Sequence, residues 1–155
     1  MKICDAVQPK LIFLGLEAQN TDDALAAVAR ELSKATELDA SLVDEALIER
    51  EKLGSTSVGN GFAIPHCKLS NLDEIVVALA RFEAGVDFCD TKDQEPVSFF
   101  FVVLSPPDQP AEHLQVLSQI ARILKNGDLR RELLETDGVD SIIGAIQRAA
   151  EQEGL

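Results

Sequence analysis

The chain has 155 residues, with 27 acidic against 14 basic side chains, a formal net charge of −13 and 46% hydrophobic residues. That length suits a single domain over 1–155 with a core of its own, and the acidity speaks against nucleic-acid binding, which needs a basic footprint; it fits a basic protein partner or equally a role in solubility alone. No apolar run reaches the roughly 18 residues that span a bilayer, Met1-Lys2-Ile3-Cys4-Asp5 lacks a signal-peptide layout, and Cys4, Cys67 and Cys89 show no CxxC spacing, so a cytoplasmic protein with no direct membrane insertion is expected.

Leu11-Ile12-Phe13-Leu14-Gly15-Leu16 reads as a short extended apolar run. Thr21 then reads as a helix N-cap, with Asp22 and Asp23 at the positive end of the helix dipole. Leu25, Val28, Ala29 and Leu32 recur at helical spacing to about Ser33. Ser41 opens a second helix, with Val43, Ala46 and Leu47 on one face and Gly54 as its stop. Gly59-Asn60-Gly61 is loop chemistry, and Phe62-Ala63-Ile64 is a short strand-like run. Pro65 has no N–H and biases Ile64 toward extended geometry, so His66 is expected where a strand gives way to a loop.

Ile75–Phe82 and Val97–Leu104 read as strands rich in β-branched or aromatic residues. The second lacks polar alternation and belongs in the sheet centre, buried on both faces. Pro106 and Pro107 end it. Leu114, Leu117, Ile120, Ala121 and Leu124 mark an amphipathic helix starting near Pro110 and stopped at Asn126-Gly127. Helices over Leu129–Leu134 and about Val139–Ala150 follow. The alternation predicts an α/β fold, a mixed β-sheet flanked by helices on both faces, that is, an α/β/α sandwich.

The chain has two histidines, His66 and His113. A neutral imidazole nitrogen can attack a phosphoryl group and hold it covalently; on the residues alone, a structural, hydrogen-bonding role of His66 stands level with this one. His113 falls in a first helical turn with Leu117 on its face, so it can point inward, and the helix end disfavours a charge on it. Arg50 lies in Glu49-Arg50-Glu51-Lys52, either a solvated charge run or a guanidinium suited to bidentate phosphate contact. Ser55 and Thr56 are hydroxyl donors for phosphate or ordinary turn residues; Gly59 and Gly61 let the backbone approach a site or simply turn it. Cys67 as a nucleophile with His66 as base is disfavoured, since adjacent side chains on extended backbone point to opposite faces. A zinc site lacks its spacing, and no metal or cofactor is expected. Cys4 and Cys89 read as small buried apolar residues.

Arg50-Glu51, Leu53-Gly54-Ser55-Thr56, Gly59-Asn60-Gly61 and Ala63-Ile64-Pro65-His66, with Glu112-His113-Leu114 after Pro106-Pro107, closely resemble the phosphotransferase-system enzyme IIA proteins of the fructose/mannitol type and their nitrogen-regulatory branch. The resemblance runs from about Ala18 to Ala149. It implies a IIA type-2-like fold and a phosphoryl-carrier activity. His66 would accept the group from a phosphorylated HPr-like protein. His113 would be the second active-site histidine, and Arg50 would stand near the acceptor. The onward partner would be a IIB component or a regulatory target. The wording Arg50-Glu51-Lys52-Leu53-Gly54-Ser55-Thr56 and the lack of a fused IIB or membrane domain tilt the reading to the nitrogen-related, regulatory branch. A stand-alone sugar-specific IIA is the main alternative, and an unphosphorylated interaction module the rival from another class. One position departs from the family: Cys67 stands where glycine usually follows the histidine, and a required positive φ there would suit cysteine poorly.

Overall fold

The computed structural model describes residues 1–88 and 95–155, so Cys89 lies outside the described residues. The chain runs α1 (Ile3–Ala6), β1 (Val7–Phe13), α2 (Thr21–Ala35), α3 (Ala40–Lys52), β2 (Ser57–Gly59), β3 (Phe62–Ala63), β4 (His66–Lys68), β5 (Val76–Val86), β6 (Val97–Ser105), α4 (Pro110–Ile123), α5 (Gly127–Glu135) and α6 (Val139–Gln152). β6 is the hub of one mixed sheet. It pairs antiparallel with β5 on one side, and β1 lies parallel to β5 beyond it. On its other side lie β3 and β4, both parallel to β6, with β2 antiparallel outside β3. The apolar run of β6 is buried on both faces, as its lack of alternation requires.

Strand parity divides the interior in two. Phe99, Phe101 and Val103 of β6 pack with α1, α4, α5 and α6. Phe100, Val102 and Leu104 pack with α2 and α3. This is the expected sandwich with helices on both faces.

β3 and β4 are one strand with a gap. Phe62 lies opposite Phe99 and Ala63 opposite Phe100; beyond the gap His66 lies opposite Val103 and Cys67 opposite Leu104, in unchanged register. Pro65 cannot donate to the ladder, but its carbonyl accepts from the Val103 N–H at 2.9 Å. His66 therefore opens a second strand segment, where the sequence suggested a loop. The turn before it is a two-residue hairpin: Gly59 pairs with Phe62, and Asn60 (φ 59°) and Gly61 (φ 86°) both take left-handed backbone, the requirement of a type I′ turn.

Other boundaries move for local reasons. α2 is capped by Asn20, whose side chain accepts from the Asp23 N–H, so Thr21 is already helical. Asp39, two residues before Ser41, caps α3 through the N–H groups of Ser41 and Leu42. Asn126, read as a stop, also caps α5. α1 was not legible in the sequence, and β1 begins at Val7 where Leu11 was expected. The buried stripe of α4 is His113, Val116, Ile120 and Ile123; Leu114, assigned to that stripe from sequence, is 66% exposed, and Ala121 is exposed too. Ile120 and Leu124 are buried as expected, Leu114 and Ala121 fall outside the buried face, and His113 is turned inward as its first-turn position suggested.

Candidate active site

The site forms where β4 has no outer neighbour. β2 covers only β3, so the His66 segment pairs with β6 on one side and leaves its other edge unpaired among the described strands. The last turn of α3 comes beside that edge from one layer, and the first turn of α4 approaches over the sheet from the other.

His66 has the parity of Phe62 and Ile64 and faces the α4 layer; it is half-buried. Its Nδ1 lies 2.8 Å from the Ile64 carbonyl oxygen. A carbonyl can only accept, so Nδ1 carries the proton and Nε2 carries the lone pair. Consistently, Arg50 Nε donates to His66 Nε2 at 3.3 Å. Burial holds the His66 pKa below the ordinary imidazole value; the Ile64 hydrogen bond opposes this, the Arg50 cation adds to it and Glu51 opposes it. The ring is thus kept neutral with a lone pair at Nε2, the state a nucleophile needs.

Arg50 is also fixed by Nη1, which donates to the Gly54 carbonyl at 2.9 Å. It forms no ion pair among the described residues, although the chain has 27 acidic side chains. A guanidinium held at two points and left without a carboxylate is placed to meet an incoming anion.

His113 is 8% exposed, and its ring centroid is 5.5 Å from that of His66. Its Nδ1 lies 2.6 Å from Ser105 Oγ. Burial, then the neighbouring His66 and Lys68, hold its pKa below the ordinary value. The helix end invoked from sequence is not among these causes.

Arg50, His66 and His113 are therefore brought together. Of the four residues proposed as phosphate-binding, Ser55 and Thr56 lie on the segment beside the same strand line, where the Thr56 carbonyl accepts from the Ile64 N–H at 3.0 Å, and Gly59 and Gly61 lie in the hairpin beyond it. Thr56 is buried, with its N–H and its hydroxyl both donated to the Glu51 carboxylate, at 2.8 and 2.7 Å. Ser55 Oγ accepts from the Ser57 N–H. These contacts tie both residues into the loop between α3 and β2. Gly59 and Gly61 belong to the hairpin at the far end of the β3–β4 line, five or more residues from His66, or about 16 Å at strand rise. Sequence reading missed Ser105 and the Ile64 carbonyl. A signal existed for the first, since Ser105 is the polar residue that closes a run of buried apolar ones.

Cys67 settles the departure from the family pattern. Its φ is not positive, and it lies in extended backbone. Its side chain packs in the α2/α3 layer, away from His66, and burial pushes the thiol up to about 12. It is neither a strained residue nor a thiolate nucleophile. Cys4 is partly buried against the other layer. Among the described residues no group of three or more His, Cys, Asp or Glu is arranged to hold a metal ion, and no helix is long and apolar enough to cross a membrane.

Residues 5–149 match the family model of the phosphoenolpyruvate-dependent sugar phosphotransferase system, EIIA 2. The chain belongs to this family. It is a IIA component, a phosphoryl-carrying transferase subunit of the phosphotransferase system. It is 36% identical over 146 residues to a nitrogen regulatory protein of Bradyrhizobium diazoefficiens, covering 94% of this chain and 95% of the relative. It is 48% identical over 106 residues to one from Pseudomonas aeruginosa, covering 68% and 66%. The crystal structure of nitrogen regulatory protein IIA-Ntr from Neisseria meningitidis superposes with a TM-score of 0.85 at 30% identity, over 93% of this chain and 98% of that one. These relatives favour the nitrogen-regulatory IIA reading over the sugar-specific one.

Proposed function

We propose that Nε2 of His66 is the phosphoryl acceptor of this IIA protein, and that it takes the group from a phosphorylated HPr-like carrier in the cytoplasm. The observation that carries this is the convergence on one open strand edge of a neutral Nε2 lone pair, the Arg50 guanidinium and a second imidazole. In the transfer, the Nε2 lone pair attacks phosphorus and an N–P bond forms. The N–P bond of the donor breaks, and its electron pair stays on the donor nitrogen. The Nδ1 proton of His66 stays on Nδ1, hydrogen-bonded to the Ile64 carbonyl, so no base is required. Positioning and charge stabilisation do the remaining work. Arg50 shifts its hydrogen bond from the lone pair to the phosphoryl oxygens, in bidentate reach.

The group then passes to a regulatory target, with the phosphorylation state as the signal, or to a IIB component. A regulatory target is favoured by the near end-to-end match to the Bradyrhizobium protein. A fructose-specific EIIABC component of Bacillus subtilis is 30% identical, and the match covers 23% of its length. A IIB partner has a precedent in the mannitol IIA, whose complex with phosphorylated IIB shares this fold.

The test is mass analysis after incubation with phosphoenolpyruvate, enzyme I and an HPr-like carrier. One acid-labile, base-stable phosphoryl group is expected, and His66→Ala should lose it while melting as a folded protein. Label persisting in that variant on His113 or a cysteine would overturn the assignment.

A further inference from the structure

The contact between Ser105 and His113 assigns a proton. Ser105 closes β6 with no solvent exposure, and its backbone carbonyl already accepts from the Leu69 N–H. Its hydroxyl has one partner among the described residues, Nδ1 of His113 at 2.6 Å. Two arrangements are conceivable. If Nδ1 carried the imidazole proton and donated to Oγ, the hydroxyl hydrogen would be left in a dry interior with no acceptor, a costly state. If the hydroxyl donates to an unprotonated Nδ1, every polar atom of the pair is satisfied. The proton of the neutral ring then sits on Nε2, which has no partner among the described residues. His113 itself is tied by its backbone N–H to the Gln109 carbonyl and buried against the sheet, so the ring has little freedom to choose otherwise.

We infer that Ser105 is a positioning residue for phosphoryl transfer: its buried hydroxyl holds His113 in the Nε2–H form, making it a hydrogen-bond donor toward the phosphoryl group on His66. The inference rests on the reading of His66 as acceptor. The two imidazoles then have complementary tautomers fixed by two different acceptor–donor choices. His66 donates a hydrogen bond from Nδ1–H to the Ile64 carbonyl and offers a lone pair at Nε2. His113 accepts a hydrogen bond at Nδ1 from the Ser105 hydroxyl and offers an N–H at Nε2. One is set up to bond phosphorus and the other to hold a phosphoryl oxygen. With the opposite tautomer, His113 would turn a lone pair toward the dianion and repel it. Ser105 touches neither the phosphoryl group nor the donor, so its effect runs entirely through His113.

The test uses the full chain labelled with nitrogen-15, and two readouts. A long-range proton–nitrogen correlation spectrum at about pH 8, where both rings are neutral, needs no phosphoryl donor. In wild type, His113 should show an unprotonated Nδ1 and a protonated Nε2. Ser105→Ala should give a mixed or reversed tautomer, and Ser105→Thr, which keeps the hydroxyl, should restore it. The second readout is the rate at which His66 takes label from the phosphorylated carrier. Ser105→Ala should slow it by roughly tenfold, Ser105→Thr should recover most of that, and Ser105→Ala placed on His113→Ala should add less than about twofold. A wild-type His113 protonated on Nδ1 overturns the inference outright, whatever the kinetics. So does a Ser105→Ala spectrum like wild type, or a further tenfold loss on top of His113→Ala, which would mark Ser105 as merely structural. Failure of wild-type His66 to take label would overturn the acceptor reading and the role of Ser105 in transfer with it, while the spectrum would still report whether the tautomer was assigned correctly.

Discussion

Two contacts decide what His66 can do. The Ile64 carbonyl fixes its proton on Nδ1, and Arg50 Nε occupies the lone pair on Nε2 until a better acceptor arrives. Protonation of the ring must occur at Nε2, against the guanidinium and against burial, which is why the pKa is lowered. The sign for activity follows. Protonated His66 cannot attack, so its acceptor activity should persist below the ordinary imidazole pKa of about 6.5 and fall only at lower pH. The sign for stability is the same. A depressed folded pKa contributes stability that is complete above the unfolded value and is lost as pH falls through that value toward the folded one. Removing the cation in Arg50→Ala should move the acid limb of the labelling rate to higher pH. It should also slow transfer at pH 8 by about 10- to 100-fold, the worth of a charge-assisted hydrogen bond. The melt should change by less than about 1 kcal/mol, since the side chain is partly exposed and unpaired. Arg50→Lys should recover part of the rate, because an ammonium cannot reproduce the fork. A labelling profile over pH 5–8 for the three proteins, alongside thermal melts, checks this. An unshifted acid limb in Arg50→Ala, or a large loss of stability with unchanged transfer, would show that Arg50 is a structural residue.

At the scale of elements, much of the fold was readable because each signal is local. β6 betrayed its central place by having no polar face, and α4 its start by Pro110 at the first helical position. Pro65 was read correctly as a residue that cannot donate, but its consequence was not. A single missing N–H breaks the strand assignment without shifting the register, because the parallel partner β6 runs uninterrupted past it. The buried face of α4 was legible only in part, for a different reason. Leu117 shares the face of His113, so an inward histidine was readable, but a hydrophobicity pattern also enlists Leu114, which the structure leaves exposed while His113 bonds to Ser105. The role of Arg81 was equally hidden. It lies in β5, is 4% exposed, and its Nη1 donates to the Leu133 and Thr136 carbonyls at 3.0 and 2.6 Å, at the end of α5. Nε pairs with Glu83 at 3.0 Å. A sequence shows an arginine in an apolar strand but not the helix end that it caps 52 and 55 residues later. Arg81→Met should leave those carbonyls unpaired and lower stability by about 2–4 kcal/mol. Loss of amide-exchange protection should concentrate in α5. The site elements α3, β4 and α4 do not depend on this cap, so His66 labelling at low temperature should stay near wild type. A variant as stable as wild type, with α5 still protected, would mean that the cap contributes nothing.

For the whole molecule, the sandwich matters because its two helical layers meet the same strand edge. α3 delivers Arg50 from one side of the sheet and α4 delivers His113 from the other, and β4 stands between them with one edge unpaired among the described strands. No single segment contains this arrangement, which is why the triad could be suspected from a family resemblance but its geometry could not be derived from spacing. Charge acts at the same scale. The chain carries a net −13, yet the site itself presents Arg50 and, on the strand segment of His66, Lys68. A donor must bring a phosphoryl dianion to these cations across a field that is negative overall. A basic donor surface around the phosphohistidine resolves that conflict, since the field then attracts the carrier while the local cations receive its anion. Salt should consequently act in opposite directions on two measurements. Screening weakens long-range attraction, so the second-order rate of His66 labelling by the carrier should fall by roughly tenfold between about 0.05 and 0.5 M salt. Screening also relieves self-repulsion among the acidic side chains, so the melting temperature should hold or rise over the same range. The opposed responses separate steering from unfolding, because a general loss of structure would lower both together. A labelling rate that is flat or rises with salt would mean that the donor does not meet this protein through a basic surface, and the charge of the chain would then have no part in choosing its partner.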